Sequence, residues 1–184
     1  MSSTLHERLH FDAANGAVLD TTRRYVLLRT DVLMGLFDEL PDPARSEALR
    51  AFGRSVARHG ADSVRAYATA AGNDALPSMM EDAAASLGWG RWHIDVGGSG
   101  QAAALSIRLT VENSPFAAAA SPAASPVCHA IAGMLEALGA ALWQRPAIAH
   151  ETRCGAQHGD GVCHFVAMPS SVAMPPSSFP PTSP

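Results

Sequence analysis

SPVCHAIAGMLEALGAALWQRPAIAHETRCGAQHGDGVCHFVAM, residues 125–168, contains the change of hydrophobic period that decides the fold. Ile131, Met134, Leu135, Leu138 and Leu142 recur at intervals of three and four, the buried stripe of an amphipathic helix that Pro146 must end. Two short strand-like segments follow, Ala147 to Arg153 and Val162 to Met168, separated by a turn holding Gly155, Gly159 and Gly161. Ser125-Pro126 offers a serine cap with proline at the first helical position, so the helix is expected to start there and to carry Cys128 in its first turn.

Upstream of this stretch the period is two. Trp89, Arg91, His93 and Asp95 alternate with Gly90, Trp92, Ile94 and Val96. Gly97-Gly98-Ser99-Gly100 then turns the chain into Ala103 to Glu112, where Leu105, Ile107, Leu109 and Val111 alternate cleanly. Another hairpin is expected from Leu9 to Leu28 around Asn15-Gly16. Between the two hairpins the pattern predicts three helices: one capped by Asp31, one from about Ala44 to Thr69, and one from Pro77 to Leu87. Ala117 to Ala124 reads as a flexible connection or flap, and Pro169 to Pro184, dominated by proline and serine, as a disordered tail. The chain therefore reads as one α+β domain over residues 1–168, with a hairpin plus helices in 1–86 and the core in 87–168, followed by a tail over 169–184.

At 184 residues and 47% apolar content the chain can bury one core. A formal charge of -4 and scattered arginines such as Arg23, Arg24 and Arg29 give no basic field, so nucleic acid is not an expected partner. The amino terminus carries charges where a signal peptide would be apolar, and no apolar run reaches the length of a membrane span. No membrane contact is expected, and the cytoplasm is the expected compartment.

All three cysteines, Cys128, Cys154 and Cys163, fall in the carboxy-terminal third, with Glu151 three residues before the second. Three sulfurs and one carboxylate suit tetrahedral zinc better than magnesium or calcium, and a closed shell of four ligands is structural rather than catalytic. The gaps match no common zinc-finger spacing, and three unrelated buried thiols remain the other reading. His129, His150, His158 and His164 lie in the same region but are read as loop or strand residues without a catalytic role. Asp160, flanked by glycines, is read as shaping the turn between the last two cysteines.

LGWGRWHIDV, SIRLTVENSPF, SPVCHAIAGMLEALGAALW and HETRCGAQHGDGVCHFV together resemble the 4-vinyl reductase domain over about Leu87 to Ala167. The mark of that family is a cysteine at a helix start, an E-x-x-C pair and a G-D-x-x-C-x-F ending. The amino-terminal RLHFDAANGAVLDTTRRYVLLRTDVLMGLFDEL resembles the segment preceding this domain in the aromatic-effector sensors of sigma-54-dependent activators of phenol and xylene catabolism. The resemblance implies a structural zinc on Cys128, Glu151, Cys154 and Cys163. It also implies a fold like that of the small vesicle-tethering subunits, with helices on one face of an antiparallel sheet and a cavity between them. Despite the family name no reductase is expected, because Gly97-Gly98-Ser99-Gly100 lacks the strand, spacing and helix of a nucleotide site.

Phenol-sensing relatives hold the hydroxyl with a histidine and a tryptophan; the matching positions here carry Met80 and Val111. A cavity lined by Met79, Met80, Trp89, Trp92, Ile107, Leu109, Val111 and Phe116 would favour an apolar or aromatic ring without a hydroxyl, although each of these residues could equally be plain core. The reading that results is a non-enzymatic, zinc-stabilised, homodimeric ligand-binding protein. It is expected to act as a stand-alone sensor or regulator, signalling to a separate protein partner. The rival is an accessory or carrier protein of tetrapyrrole or bacteriochlorophyll synthesis, where the partner is biosynthetic. A third reading is an interaction module whose own side chains fill the cavity.

Overall fold

Asn15-Gly16 turns the chain as its chemistry requires. Gly16 takes φ +60, and the Asp12 carboxylate accepts from the Asn15 backbone N–H at 3.0 Å and from its side-chain amide at 2.8 Å. The computed structural model describes residues 5–97, 105–120 and 122–171. After a single helical turn, α1 (Leu5–Arg8), the Asn-Gly turn joins β1 (His10–Asp12) to β2 (Ala17–Asp20). The chain then reverses again, so the expected hairpin is a three-stranded antiparallel sheet, β1-β2-β3, closed by β3 (Arg23–Tyr25). That second reversal runs through Thr21 at φ +58, a conformation rare for a β-branched residue and unmarked in the sequence. Buried Asp20 accepts from Arg8 at 3.2 Å and ties α1 to this sheet.

Three helices follow within a residue or two of expectation: α2 (Thr30–Asp38), α3 (Ala44–Ala71) and α4 (Leu76–Ser86). The period-two segments form β4 (Arg91–Gly97) and β5 (Ser106–Glu112), in full antiparallel register from Arg91↔Glu112 to Gly97↔Ser106. Gly98 to Gly100, where the turn was expected, and Ala103 lie outside the described residues. The expected flap is in part a short helix, α5 (Pro115–Ala119), with Phe116, Ala117 and Ala120 buried. Ser114 caps it, its hydroxyl accepting from the Ala117 N–H at 3.3 Å, and Pro115 stands at the first position.

The remaining elements are α6 (His129–Trp143), β6 (Ala147–Arg153), α7 (Gly155–His158) and β7 (Val162–Pro169). α6 starts later than Ser125-Pro126 suggests, so Cys128 is its N-cap residue rather than a member of its first turn. Part of the glycine-rich turn is the single helical turn α7. Pro169, expected in the tail, ends β7, and Ser170 donates to the Pro146 carbonyl at 2.8 Å; residues 172–184 lie outside the description.

The main sheet runs β4-β5-β7-β6, all antiparallel, with α4 and α6 against one face. Ile107, Leu109 and Val111 of β5 and Cys163, Phe165 and Ala167 of β7 point inward and are buried, meeting Ile131, Leu135 and Leu138 of α6. α3 crosses α6 at backbone contact. A Cβ on Gly133 would lie 2.1 Å from the Gly53 carbonyl oxygen, and one on Gly53 would lie 2.5 Å from that of His129. Only glycine permits this approach, and the crossing fixes the amino-terminal end of α6, where Cys128 sits.

Candidate metal centre and ligand cavity

In a regular strand Glu151 and Cys154, three residues apart, would face opposite sides of the sheet. β6 carries a bulge that removes the conflict. Glu151 pairs with Phe165 while Arg153 pairs with His164, leaving Thr152 as the extra residue, with its hydroxyl donating to the His164 carbonyl at 3.1 Å. Both side chains thus turn inward. Cys163 reaches the same point from β7, its sulfur accepting from the Gly155 N–H at 3.2 Å, and Cys128 reaches it from the cap of α6. The Cys128 N–H donates to Glu151 Oε2 at 3.0 Å.

One ligand atom from each of these four residues lies within 4.8 Å of every other, so the group can hold a metal ion. The three cysteines are free and fully buried. The Sγ atoms of Cys128 and Cys163 are 3.7 Å apart, matching the ~3.8 Å edge of a tetrahedron built with Zn–S bonds of ~2.3 Å. Glu151 Oε1 is buried with no hydrogen-bond partner, a costly position for a carboxylate oxygen unless a cation takes it. Burial pushes the Glu151 carboxyl up to about 8, with neighbouring Cys154 adding to the push. Hydrogen bonds from the Cys128 and Cys163 thiols hold Cys154 far below the usual thiol range, while the bond to Cys154 raises Cys128 far above it. The group is thus one thiolate among shared protons, which a bound dication would replace.

Buried Ser114 completes the surroundings, its hydroxyl 3.4 Å from the Cys128 sulfur. Its signal was present in the sequence as Ser114-Pro115, the same cap pattern read at Ser125-Pro126. Asp160 clamps the turn before Cys163, accepting from Arg153 at 3.0 Å and from the Val162 N–H at 3.2 Å. The Arg153 guanidinium holds its carboxyl low, at about 2. His129, His150, His158 and His164 stand outside the four-residue group.

A second feature lies between α3, α4 and the start of β4: a cavity of about 280 Å³. Buried Val64, Met80 and Trp92 form its deep end, with Ala83, Ala84, Trp89 and Met134; exposed Ser55 and His59 mark its mouth. Tyr25 of β3 and Tyr67 of α3 complete the wall, so the amino-terminal sheet contributes to it. Of the eight residues expected to line a cavity, Met80, Trp89 and Trp92 do so. Met79, Ile107, Leu109, Val111 and Phe116 are not among the lining residues. Phe116 stands behind Trp89 in edge contact at 5.3 Å, and Val111 faces Trp92 across the β4–β5 ladder. The Trp92 indole N–H donates to the Trp89 carbonyl at 3.1 Å and is unavailable to a guest in this arrangement.

Known proteins share both the sequence of the metal-bearing part and the fold around it. Residues 107–169 match the family model of the vinyl-4-reductase (4-vinyl reductase) domain. The resemblance read from about Leu87 is thereby placed on β5 through β7, the part that carries the four metal-binding candidates. The phenol-responsive sensory domain of the transcription activator PoxR, solved with phenol, superposes with a TM-score of 0.75 at 22% identity, covering 90% of this chain and 86% of that one. The chain therefore shares the PoxR sensory-domain fold, with its antiparallel sheet and packed helices. A vinyl-4-reductase family protein from Methanocaldococcus jannaschii gives 0.47 at 13% identity over 77% and 90% of the two chains. Trafficking protein particle complex subunit 3 from Naegleria fowleri, covalently bound to palmitic acid, gives 0.49 at 9% identity over 79% and 98%. No curated protein matches the chain in sequence. No helix among the described residues is long and apolar enough to cross a membrane.

Proposed function

We propose that the protein is a non-enzymatic sensor or regulator of an apolar aromatic molecule, held in shape by a structural zinc and acting in the cytoplasm. The observation that carries this reading is the cavity, whose deep end of Val64, Met80 and Trp92 offers no free polar group. The PoxR sensory domain, of the same fold, is phenol-responsive, which supports a ligand role for this cavity. At about 280 Å³ the space is roughly twice the ~150 Å³ that holds benzene in an engineered cavity, a size that suits two fused rings. It is too small for four linked pyrrole rings, which disfavours a tetrapyrrole carrier.

Zinc on Cys128, Glu151, Cys154 and Cys163 supplies a cross-link between the start of α6 and strands β6 and β7. With all four positions taken by protein, it leaves none open for a substrate.

Titration of the protein with naphthalene and with phenol, followed by calorimetry and by the fluorescence of Trp89 and Trp92, tests the ligand reading. A phenol hydroxyl pressed into the deep end lacks a partner and costs about 1–3 kcal/mol. Naphthalene should therefore bind roughly tenfold or more tighter. Met80→His adds a donor there and should move the preference toward phenol. Wild-type protein that prefers phenol, or binds neither, would overturn the assignment.

A further inference from the structure

Six large apolar side chains are more than half exposed among the described residues, and all six fall between positions 11 and 36: Phe11 at 61%, Val26 at 81%, Leu27 at 72%, Leu28 at 55%, Val32 at 54% and Leu36 at 62%. The next most exposed, Val96, stands at 45%. Val26 to Leu28 continue β3 past its last ladder pair, Val18↔Tyr25, and β3 is an edge strand. Among the described residues, no hydrogen bond reaches the backbone of these three. Alternate residues of an extended chain face opposite sides, so three consecutive bare apolar residues leave both sides uncovered. On α2, Val32 and Leu36 are one turn apart on the outer face, while Met34 and Phe37 are buried.

Free backbone groups along an apolar edge form a template for another strand. The six side chains together expose on the order of 700 Å² of apolar surface, above the few hundred Å² usual for one patch on a monomer. That is close to the ~800 Å² each partner gives a standard interface. We propose that this edge pairs with a second copy of the chain, segment 25–28 running antiparallel to its own counterpart about a two-fold axis at Leu27. The charges suit self-pairing. In that register Val26 meets Leu28 of the partner subunit, and Arg23 approaches the start of the other α2, where Asp31 carries the opposite charge; symmetry makes each contact twice. The proposal gives a surface to the homodimer expected from sequence and does not depend on which ligand fills the cavity.

Sedimentation of the full chain tests it. Wild-type protein should have twice the 19.2 kDa chain mass. Leu27→Asp and, separately, Leu36→Glu should raise the dimer dissociation constant roughly tenfold or more, since each buries an unpaired charge. Both sites are solvent-facing, so circular dichroism should remain that of the wild type. Leu27→Cys should form a cross-linked dimer on oxidation, because Leu27 meets its own counterpart on the axis. Arg65→Cys, 66% exposed on α3, should not. A monomeric wild type, a dimer indifferent to Leu27→Asp, or Leu27→Cys protein that stays uncross-linked would each overturn the proposal. Ligand titration reads a different site, so its failure and this one are separable.

Discussion

At the scale of single residues, the metal candidates were legible because the chain spends its thiols nowhere else: three cysteines and a nearby glutamate point to one place whatever the backbone does. What the sequence did not announce was how they meet. E-x-x-C on a strand puts the two side chains on opposite faces, and only the bulge at Thr152 turns both inward. The cavity wall was harder to read, because much of it comes from α3 through Ser55, His59, Ser63 and Tyr67, residues a sequence reader assigns to a solvated helix face. Five expected lining residues are instead core or partly buried positions outside the wall, since an inward-facing strand residue and a pocket residue share one hydrophobic signature. The metal reading gives a direct expectation. Purified protein should carry about one zinc per chain, and Cys154→Ser, which keeps the size but loses the thiolate, should remove it. The same variant should lower Tm by several degrees or more, since metal binding contributes folding free energy. Elemental analysis and thermal unfolding check both, and a wild type that keeps its Tm in strong chelator would sink the zinc assignment.

At the scale of elements, most helices and strands followed from hydrophobic period alone, because long amphipathic segments state their period many times. The misses were short or at ends. The third strand of the amino-terminal sheet hangs on one threonine at positive φ, and a cap signal was credited to Ser125 when the same chemistry operates at Ser114. The α3–α6 crossing was also invisible, since Gly53 and Gly133 read as indifferent helix positions until their partners are known. Two substitutions of the same kind should act in opposite directions. Gly133→Ala drives a methyl into the Gly53 carbonyl and should destabilise by about 1–3 kcal/mol, a fall in Tm of roughly 2–10 °C. Gly35→Ala, in α2 with nothing within 4 Å of the added Cβ, should stabilise by up to ~1 kcal/mol through helix propensity. Thermal unfolding of both variants decides it, and equal shifts in the same direction would show that the crossing is looser than described.

At the scale of the whole molecule, the four-stranded sheet and α6 hold the metal candidates, while the cavity joins that core to the amino-terminal sheet through Tyr25. The architecture was legible as an antiparallel sheet with helices. The joint was not, because no local pattern links a tyrosine at position 25 to a methionine at position 80. Tyr25 is at once part of the cavity wall and the last paired residue before the bare run Val26 to Leu28. A guest that shifts this ring moves the strand edge offered to a second copy, and occupancy and assembly then share one coupling free energy. Reciprocity fixes the consequence: whatever factor the ligand applies to the dimer constant, dimerisation applies to ligand affinity. Sedimentation with and without naphthalene, set beside titrations of wild-type and Leu27→Asp protein, should return the same factor from both directions. A ligand affinity identical in the two proteins, alongside a dimer constant that ligand changes, would break that equality. With the equality intact, the chain converts the concentration of a small apolar molecule into a count of paired subunits.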